Sequence, residues 1–414
     1  MFDKIDAQPD IAQLASLPEV RAGLAWIRAH EAQFVRWQLD LAAIPAPPFG
    51  ESARSRWIES RFQELSLDDV HSDEVGNVFG RIGSLPSAGT HYTSVSAHLD
   101  TVFPAGTPLN VRQQGTRLYG PSVSDNAAGV TALLAIAAAM RACKIEPPSP
   151  ILFVGNVGEE GEGDLRGMRH IFSDSRWSDS IGRSVVLDGA GTDTIVSEAL
   201  GSRRFEVIVR GPGGHSWSDF GAPNPIFALA KAIKLFIQTP VPSSPKTTFN
   251  VGVIRGGTSV NSIPESASMR VDVRSTSMAE MERLESMLRG SIGAAVEEEN
   301  LDAAKPGNPQ TRSSGLSVEI VSIGNRPAGE LASDSRILQI IRAVDSHLGN
   351  TAQIQRASTD ANIPLSMGRE AIAIGAGGTG GGAHTLQEWF DCTGREFGLR
   401  RILLTVLALT EGDK

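Results

Sequence analysis

Two short motifs in the chain combine side chains that bind metal ions with side chains that move protons. His98 and Asp100 flank Leu99, and in an extended chain residues i and i+2 can face one site. A histidine suits a divalent metal, and a nearby carboxylate can accept the second ring N–H and orient the ring. Glu159 and Glu160 lie between glycines that let the backbone turn sharply. Each motif alone is weak evidence, because both also occur on ordinary surfaces.

Three further residues extend this set of candidate ligands. Asp125 opens an alanine-rich stretch, Asp188 precedes Gly189, and His384 follows the glycine-rich segment 380–382. Each has an ordinary explanation as well, because aspartate is a good helix N-cap and is common in turns. The glycines predict a flexible approach to His384. They lack the Lys-Ser/Thr pair of a phosphate-binding loop, which makes a nucleotide-binding enzyme the weakest interpretation.

The apolar runs that precede most of these side chains indicate where they lie in the fold. They predict strands at 93–97, 151–157, 184–187 and 371–374 and an apolar helix at 126–143. Strands that alternate with helices favour an α/β domain with a mostly parallel sheet. Open sheets of this kind bind ligands beyond the carboxyl ends of their strands, so the candidate residues are expected to converge there.

Together, these two histidines and several carboxylates could hold two divalent ions about 3.5–4 Å apart. Such a pair needs a shared ligand, most naturally a carboxylate that offers one oxygen to each ion. It also needs a carboxylate that stays free to take a proton. The chain has only 2 cysteines, Cys143 and Cys392, which excludes a thiolate cluster and favours catalytic zinc, manganese or cobalt.

The pattern changes between residues 201 and 326. It predicts a strand at 205–209, a helix at 225–237, strands at 249–254 and 267–274, a helix at 277–299 and a strand at 316–323, with a loop at 303–315. The order β-α-β-β-α-β is typical of a ferredoxin-like α+β domain. We therefore predict a lid at 201–326 that is inserted into a catalytic domain formed by 1–200 and 327–414.

Composition argues against several other classes of protein. The 414 residues carry a formal net charge of −9, whereas a nucleic-acid binder needs a basic surface. No segment reaches the ~20 consecutive apolar residues that cross a bilayer. Residues 1–10 lack the basic and apolar regions of a signal peptide. We expect a cytoplasmic protein that binds neither nucleic acid nor membrane.

The motifs resemble those of the di-zinc exopeptidase family that includes aminoacylase, carnosinase, glutamate carboxypeptidase and peptidase T. The resemblance covers nearly the whole chain: Ser96–Val102, Asp125, Glu159–Glu160, Asp188, Gly214–Ser216, Asn261–Pro264, Asp272–Arg274 and His384–Thr385. It implies a zinc-exopeptidase-like catalytic domain with an inserted ferredoxin-like lid that also forms a homodimer. It further implies two divalent ions per subunit, zinc first, with manganese or cobalt as alternatives.

The resemblance also implies a ligand set for the two ions. His98 and Asp188 would hold one ion, and Glu160 and His384 would hold the other. Asp125 would bridge them, aimed by a cis peptide bond on its carboxyl side.

Five other residues acquire roles by the same resemblance. Glu159 would act as the general base, and Asp100 would orient the first histidine ligand. His215 would stabilise the oxyanion in the active site of the neighbouring subunit. Asn261 and Arg274 would contact the substrate. The alternative role for Arg274 is an ordinary salt bridge with a nearby acidic residue.

The aspartate at position 188 and the segment 380–391 are most similar to aminopeptidase, dipeptidase and peptidase T-like members. The expected function is therefore an aminopeptidase or a di-/tripeptidase that hydrolyses amide bonds of small peptides. An N-acyl-amino-acid deacylase or a carboxypeptidase is the alternative. A non-catalytic binding protein would be expected to lack the base or a ligand, and all six are present.

Overall fold

The computed structural model describes residues 10–86, 90–173, 177–304 and 315–411. The chain forms two compact units, of which unit 1 comprises 1–199 with 329–414 and unit 2 comprises 200–328. Most of the predicted loop at 303–315 lies outside the described residues. The roles of the units as catalytic domain and lid, and the boundaries predicted for them, stay predictions.

The described helices share one numbering along the chain. They are α1 (Ile11–Ser16), α2 (Pro18–Ala29), α3 (Glu31–Ala42), α4 (Ser52–Glu64), α5 (Ala127–Ala142), α6 (Arg166–Ser173), α7 (Pro225–Phe236), α8 (Met278–Ala303), α9 (Arg336–Leu348), α10 (Asn362–Ser366) and α11 (Arg395–Thr410). Within the described ranges, no helix has both the length and the apolar character needed to cross a membrane.

The described strands are numbered in the same way. They are β1 (Asp68–Ser72), β2 (Val78–Ile82), β3 (Tyr92–His98), β4 (Arg112–Gln114), β5 (Arg117–Tyr119), β6 (Ile151–Asn156), β7 (Ile181–Leu187), β8 (Thr194–Ala199), β9 (Gly201–Arg210), β10 (Gly214–His215), β11 (Thr247–Gly256), β12 (Ser262–Ile263), β13 (Ser266–Ser275), β14 (Ser317–Arg326), β15 (Gly329–Glu330), β16 (Gln353–Ala357), β17 (Glu370–Ile374), β18 (Thr379–Gly381) and β19 (Trp389–Asp391).

The main sheet of unit 1 has the strand order β1-β2-β6-β3-β7-β17-β8-β15, with β16 beside β8. Its central strands β6, β3, β7 and β17 are parallel, and antiparallel neighbours flank them. Strands β3 and β6 are buried along their whole length, as expected for a sheet covered on both faces. The predicted α/β class with a mostly parallel central sheet is confirmed. The carboxyl ends of β3, β6 and β7 meet at one edge of this sheet.

A second, smaller sheet of unit 1 has the order β18-β19-β5-β4. Gly380 and Gly381 belong to β18 of this sheet and Gly382 follows it with a φ of 69°, so an ordered strand stands where a flexible approach was expected. A Cβ on Gly380 would lie 2.4 Å from the hydroxyl of Ser124, and one on Gly381 would lie 2.9 Å from the Trp389 ring. Glycine is needed here because the backbone packs closely against these side chains.

Unit 2 has a four-stranded antiparallel sheet in the order β11-β13-β9-β14. Helices α7 and α8 pack on it through an apolar core that includes Phe205, Val207, Leu229, Leu284 and Leu288. The arrangement confirms the predicted ferredoxin-like β-α-β-β-α-β order. Helix α8 continues to Ala303, beyond the predicted end at 299.

Candidate active site

His98 is the last residue of β3, and its side chain is buried. Its Nε2 atom lies 3.1 Å from Oδ1 of Asp125 and 3.8 Å from Oδ1 of Asp188. On the other side of the ring, Nδ1 lies 3.2 Å from the carbonyl oxygen of Asp100 and 3.6 Å from its Oδ1. The ring therefore presents Nε2 to two candidate ligands, while its other nitrogen faces Asp100.

The carboxylate of Asp125 lies between two histidines. Its Oδ1 faces His98, whereas its Oδ2 lies 3.0 Å from Nε2 of His384. The same nitrogen of His384 lies 3.2 Å from Oε1 of Glu160. Each oxygen of Asp125 thus points to a different histidine, and each histidine has a second carboxylate close to it. The peptide bond between Asp125 and Asn126 is cis, as the resemblance implies.

Asn126 joins the segment of Asp125 to the end of β7. Its side-chain oxygen accepts the N–H groups of Gly129, at the start of α5, and of Gly189. Its side-chain amide donates to the carbonyl oxygen of Leu187 at 2.9 Å. One buried side chain therefore caps the helix and holds Asp125 beside Asp188.

Asp100 positions the two glutamates that follow β6. Its fully buried carboxylate accepts the backbone N–H of Glu159 at 2.9 Å and that of Glu160 at 2.7 Å. Gly158 precedes them with a φ of 73°, and a Cβ there would lie 2.2 Å from the guanidinium of Arg166. The backbone turn that aims the two glutamates therefore requires glycine.

The protonation of this cluster reflects its density of charge. Burial lowers the pKa of His98, but hydrogen bonds with the surrounding carboxylates outweigh it and raise the pKa well above its usual value. Hydrogen bonds with Asp125 and Glu160 raise the pKa of His384 to about 10. Burial raises the pKa of Asp125, but hydrogen bonds with the two histidines outweigh burial and hold this pKa well below the usual range. Burial raises the pKa of Glu160. Positive charge inside the cluster is strongly favoured.

The donor set fits divalent metal ions. Donor atoms of His98, Asp125 and Glu160 all lie within 4.8 Å of one another. Imidazole nitrogens and carboxylate oxygens are ligands that zinc, manganese and cobalt accept. Two more candidate ligands lie next to this group: Asp188 beside Nε2 of His98, and His384 beside Oδ2 of Asp125. The residues present therefore suit two ions that share Asp125.

His215 and Asn261 are neighbours in unit 2. Strands β10 and β12 pair His215 with Ser262, and the N–H of Ser216 donates to the carbonyl oxygen of Asn261 at 3.0 Å. Nδ1 of His215 accepts the N–H of Trp217 at 3.2 Å. In the neutral ring the proton is therefore on Nε2, which makes this exposed side chain a hydrogen-bond donor.

Arg274 lies on β13 of unit 2 and pairs with a neighbouring acid. Its Nε donates to Oδ2 of Asp272 at 2.7 Å, and the other oxygen of this carboxylate accepts Nε of Arg204 at 3.1 Å. The salt bridge named as the alternative role of Arg274 is therefore present. The guanidinium groups of Arg204 and Arg274 therefore share the carboxylate of Asp272.

Two buried charged residues close to the ligand segments were not predicted. Glu388 is four residues after His384, and this spacing was the available signal in the sequence. Arg54 lies on α4, whose sequence gives no signal that separates it from the other arginines there.

Comparisons with known proteins agree with this geometry. Residues 95–407 match the model of peptidase family M20/M25/M40, and the chain belongs to this family. A probable carboxypeptidase of Aspergillus clavatus is 29% identical over 249 residues, which is 54% of each chain. The chain spans about half the length of the curated relatives it matches first.

Solved structures share the fold. The aminopeptidase PepT of Bacillus cereus has a TM-score of 0.71 at 18% identity, over 92% of this chain and 99% of its own. YXEP of Bacillus subtilis, described as a dinuclear metal-binding peptidase, has a TM-score of 0.64 at 15% identity, over 93% of this chain and 99% of its own.

Proposed function

We propose that the protein is a metal-dependent exopeptidase that hydrolyses amide bonds of small peptides, as an aminopeptidase or a di-/tripeptidase. The observation that carries this proposal is the placement of Asp125, whose two oxygens face different histidines. Membership in the peptidase family supports it. The two ions are proposed to be zinc, with manganese or cobalt as alternatives.

In this proposal each residue acts at a defined atom. The ions, when bound, lower the pKa of a water molecule and polarise the scissile carbonyl. The carboxylate of Glu159 takes the water proton and later delivers it to the leaving amine. Asp100 keeps the ring of His98 in place and fixes the backbone of Glu159. His215 donates its Nε2–H to the oxyanion.

Two residues of unit 2 are proposed to bind the substrate. Asn261 is exposed beside His215, where its side-chain amide can contact the peptide. Arg274 bonds to Asp272 through Nε, and its two terminal nitrogens are further donors that suit a carboxylate. A free carboxylate at the end of a small peptide is the matching group.

The alternative is an N-acyl-amino-acid deacylase or a carboxypeptidase, which the carboxypeptidase relatives favour. The test compares free dipeptides and tripeptides with N-acyl amino acids, using protein stripped of metal and reloaded with zinc, manganese or cobalt. Faster turnover of peptides with a free amino group supports the proposal. Turnover of N-blocked substrates alone would support the alternative.

The first prediction concerns the base. Glu159→Gln should lose turnover by about 10²–10⁴-fold, because an amide cannot accept the water proton. Binding of two ions should persist, since the ligand set is unchanged. Metal content measured by elemental analysis is the control for steady-state rates. Near-normal turnover with two ions bound would contradict the role of Glu159.

We also propose a homodimer formed through unit 2, in which His215 completes the site of the partner subunit. Strand β11 is an outer strand of the sheet, and exposed apolar side chains lie on β11 (Ile254), on α7 (Phe227) and just after α7 (Ile237). An outer strand offers backbone groups that a second copy can pair with.

We also propose that the protein is cytoplasmic, which the two free cysteines support.

Mixing two inactive variants tests the dimer. Subunits with His215→Ala and subunits with Glu159→Gln should together regain part of the activity, because a heterodimer has one site with both groups intact. Subunit exchange is verified with differently tagged chains. Absence of recovery after proven exchange would mean that His215 does not serve the partner.

A further inference from the structure

Glu388 is a fully buried acid that no role assigned above uses. Its carboxylate accepts three backbone N–H groups, those of Ser122 at 2.8 Å and of Ser124 and Asp125 at 2.7 Å each. Its own carbonyl oxygen accepts the N–H of Gly120 at 3.0 Å. The segment that ends in Asp125 is therefore attached to Glu388 along its whole length.

Glu388 also belongs to the segment of the second histidine. It is four residues after His384, and its N–H donates to the carbonyl oxygen of Thr385 at 3.2 Å. The segments of two candidate ligands that face each other at 3.0 Å, Asp125 and His384, are thus connected by the side-chain and backbone bonds of one residue, Glu388.

Arg54 makes the corresponding connection to the first histidine. It is fully buried, and its Nη1 donates to the carbonyl oxygen of Leu99 at 2.9 Å and to the hydroxyl of Ser122 at 3.1 Å. Leu99 lies between His98 and Asp100. One guanidinium nitrogen therefore joins the segment of the first histidine to the segment of the bridging carboxylate.

Ser122 is the residue at which the two connections meet. Its hydroxyl accepts from Arg54, and its N–H donates to Glu388. Its φ of 69° is uncommon for a residue with a side chain and presents these two groups to their partners. The bonds of Arg54 Nη1 and of the Glu388 carboxylate hold these backbone segments together inside the protein, although Nη2 of Arg54 is buried without a hydrogen-bond partner among the described residues.

We propose that Arg54 and Glu388 are positioning residues that set the spacing of the two metal positions by fixing the Asp125 segment against those of His98 and His384. The inference rests on the proposed two-metal function. Both side chains are fully buried, out of reach of a substrate. Both act through backbone groups beside the ligands, so their loss should change metal binding before it changes anything else.

Glu388→Gln is the decisive variant, because a glutamine keeps the shape but has one acceptor and one donor. In either orientation its NH₂ group faces an N–H donor of the Asp125 segment. We expect the affinity for Co²⁺ to fall by about 10–100-fold at one or both positions, the size found for residues that orient ligands. Titration of metal-stripped protein with Co²⁺ measures this through visible absorption. Electron paramagnetic resonance then reports whether the two ions share a bridging ligand.

The matched control is another buried acid, one that lies away from the ligand segments. Asp345 on α9 accepts Nε and Nη2 of Arg401 on α11 at 2.6 and 2.9 Å. Asp345→Asn should lower the melting temperature while Co²⁺ affinity stays that of the wild type. If Glu388→Gln also lowers only the melting temperature, the positioning role is wrong.

Ser122→Ala covers the case in which Glu388→Gln does not fold. It removes the bond from Arg54 and keeps the N–H that Glu388 accepts, so a smaller loss of Co²⁺ affinity in the same direction is expected. Unchanged affinity would overturn the proposal. Wild-type protein in the same titration separates the two hypotheses, because a wild type that binds fewer than two ions contradicts the proposed function itself.

Discussion

The candidate residues of unit 1 and those of unit 2 are held in different ways. In unit 1 each candidate ligand has a donor atom within 3.8 Å of another, and buried side chains such as Asp100 and Asn126 fix their backbone. In unit 2, His215 and Asn261 are exposed and kept in place by a two-residue ladder. A metal site must exist before substrate arrives, whereas groups that bind substrate must remain accessible to it. The two sets should therefore respond differently to the same kind of change.

Removal of unit 2 should have the largest effect among the changes that test this difference. Ala199 and Gly329 are paired residues of β8 and β15, so an Asn-Gly turn can join them after deletion of 200–328. Because the ligands all belong to unit 1, the shortened chain should still bind two Co²⁺ ions. It should lose activity by more than ~10²-fold, since His215, the proposed oxyanion donor, is gone. Loss of metal binding in a folded shortened chain would show that unit 2 helps to build the metal site.

A single change in unit 2 should give a smaller effect of the same kind. His215→Ala should reduce kcat by about 10²–10³-fold, the usual result of removing one oxyanion donor. Metal content should not change. Asp219→Asn is a useful companion, because it weakens the hydrogen bonds that the Asp219 carboxylate accepts from the backbone N–H of His215 and the hydroxyl of Ser218. A fall in metal content with His215→Ala would break the comparison between the two units.

The smallest expected effect concerns Arg274. Arg274→Ala should raise KM by about 10–100-fold for substrates with a free carboxylate, the effect of a lost hydrogen bond to a charged group. The value of kcat should change little. Arg270, four residues earlier on β13 and paired with Glu206, is the matched control, because it lies on the same face of the sheet. Equal effects of Arg274→Ala and Arg270→Ala would assign Arg274 to its salt bridge alone.

Local patterns were sufficient to predict the order of the main elements. The strands predicted at 93–97 and 184–187 and the helix predicted at 126–143 are all present, as Tyr92–His98, Ile181–Leu187 and Ala127–Ala142, and most of their residues are buried. Because these strands are parallel, the candidate residues that follow them were expected at one edge of the sheet. Family resemblance was needed to separate the roles of the ligands.

Contacts between distant segments could not be predicted in the same way. The glycines before His384 suggested flexibility, but Gly380 is needed because Ser124 packs against it. Arg54 looks like an ordinary surface charge in the sequence, and Glu388 is marked only by its spacing from His384. The burial of both depends on segments that meet only in the folded chain. The periodicity of a sequence predicts which face of a helix or strand is buried, but it does not predict which distant side chains pack against that face.

The ends of unit 2 have a consequence for the order of folding. Ser202 and Arg326 are paired on β9 and β14, so a folded unit 2 holds its own ends close together. For unit 1, a folded unit 2 makes the connection between residues 199 and 329 act as a short loop, although it contains more than a hundred residues. The entropy cost of closing a loop grows by about 0.6 kcal/mol for each doubling of its length, so roughly five doublings remove about 3 kcal/mol from that cost. Early folding of unit 2 therefore favours the joining of the two parts of unit 1, at residues 199 and 329.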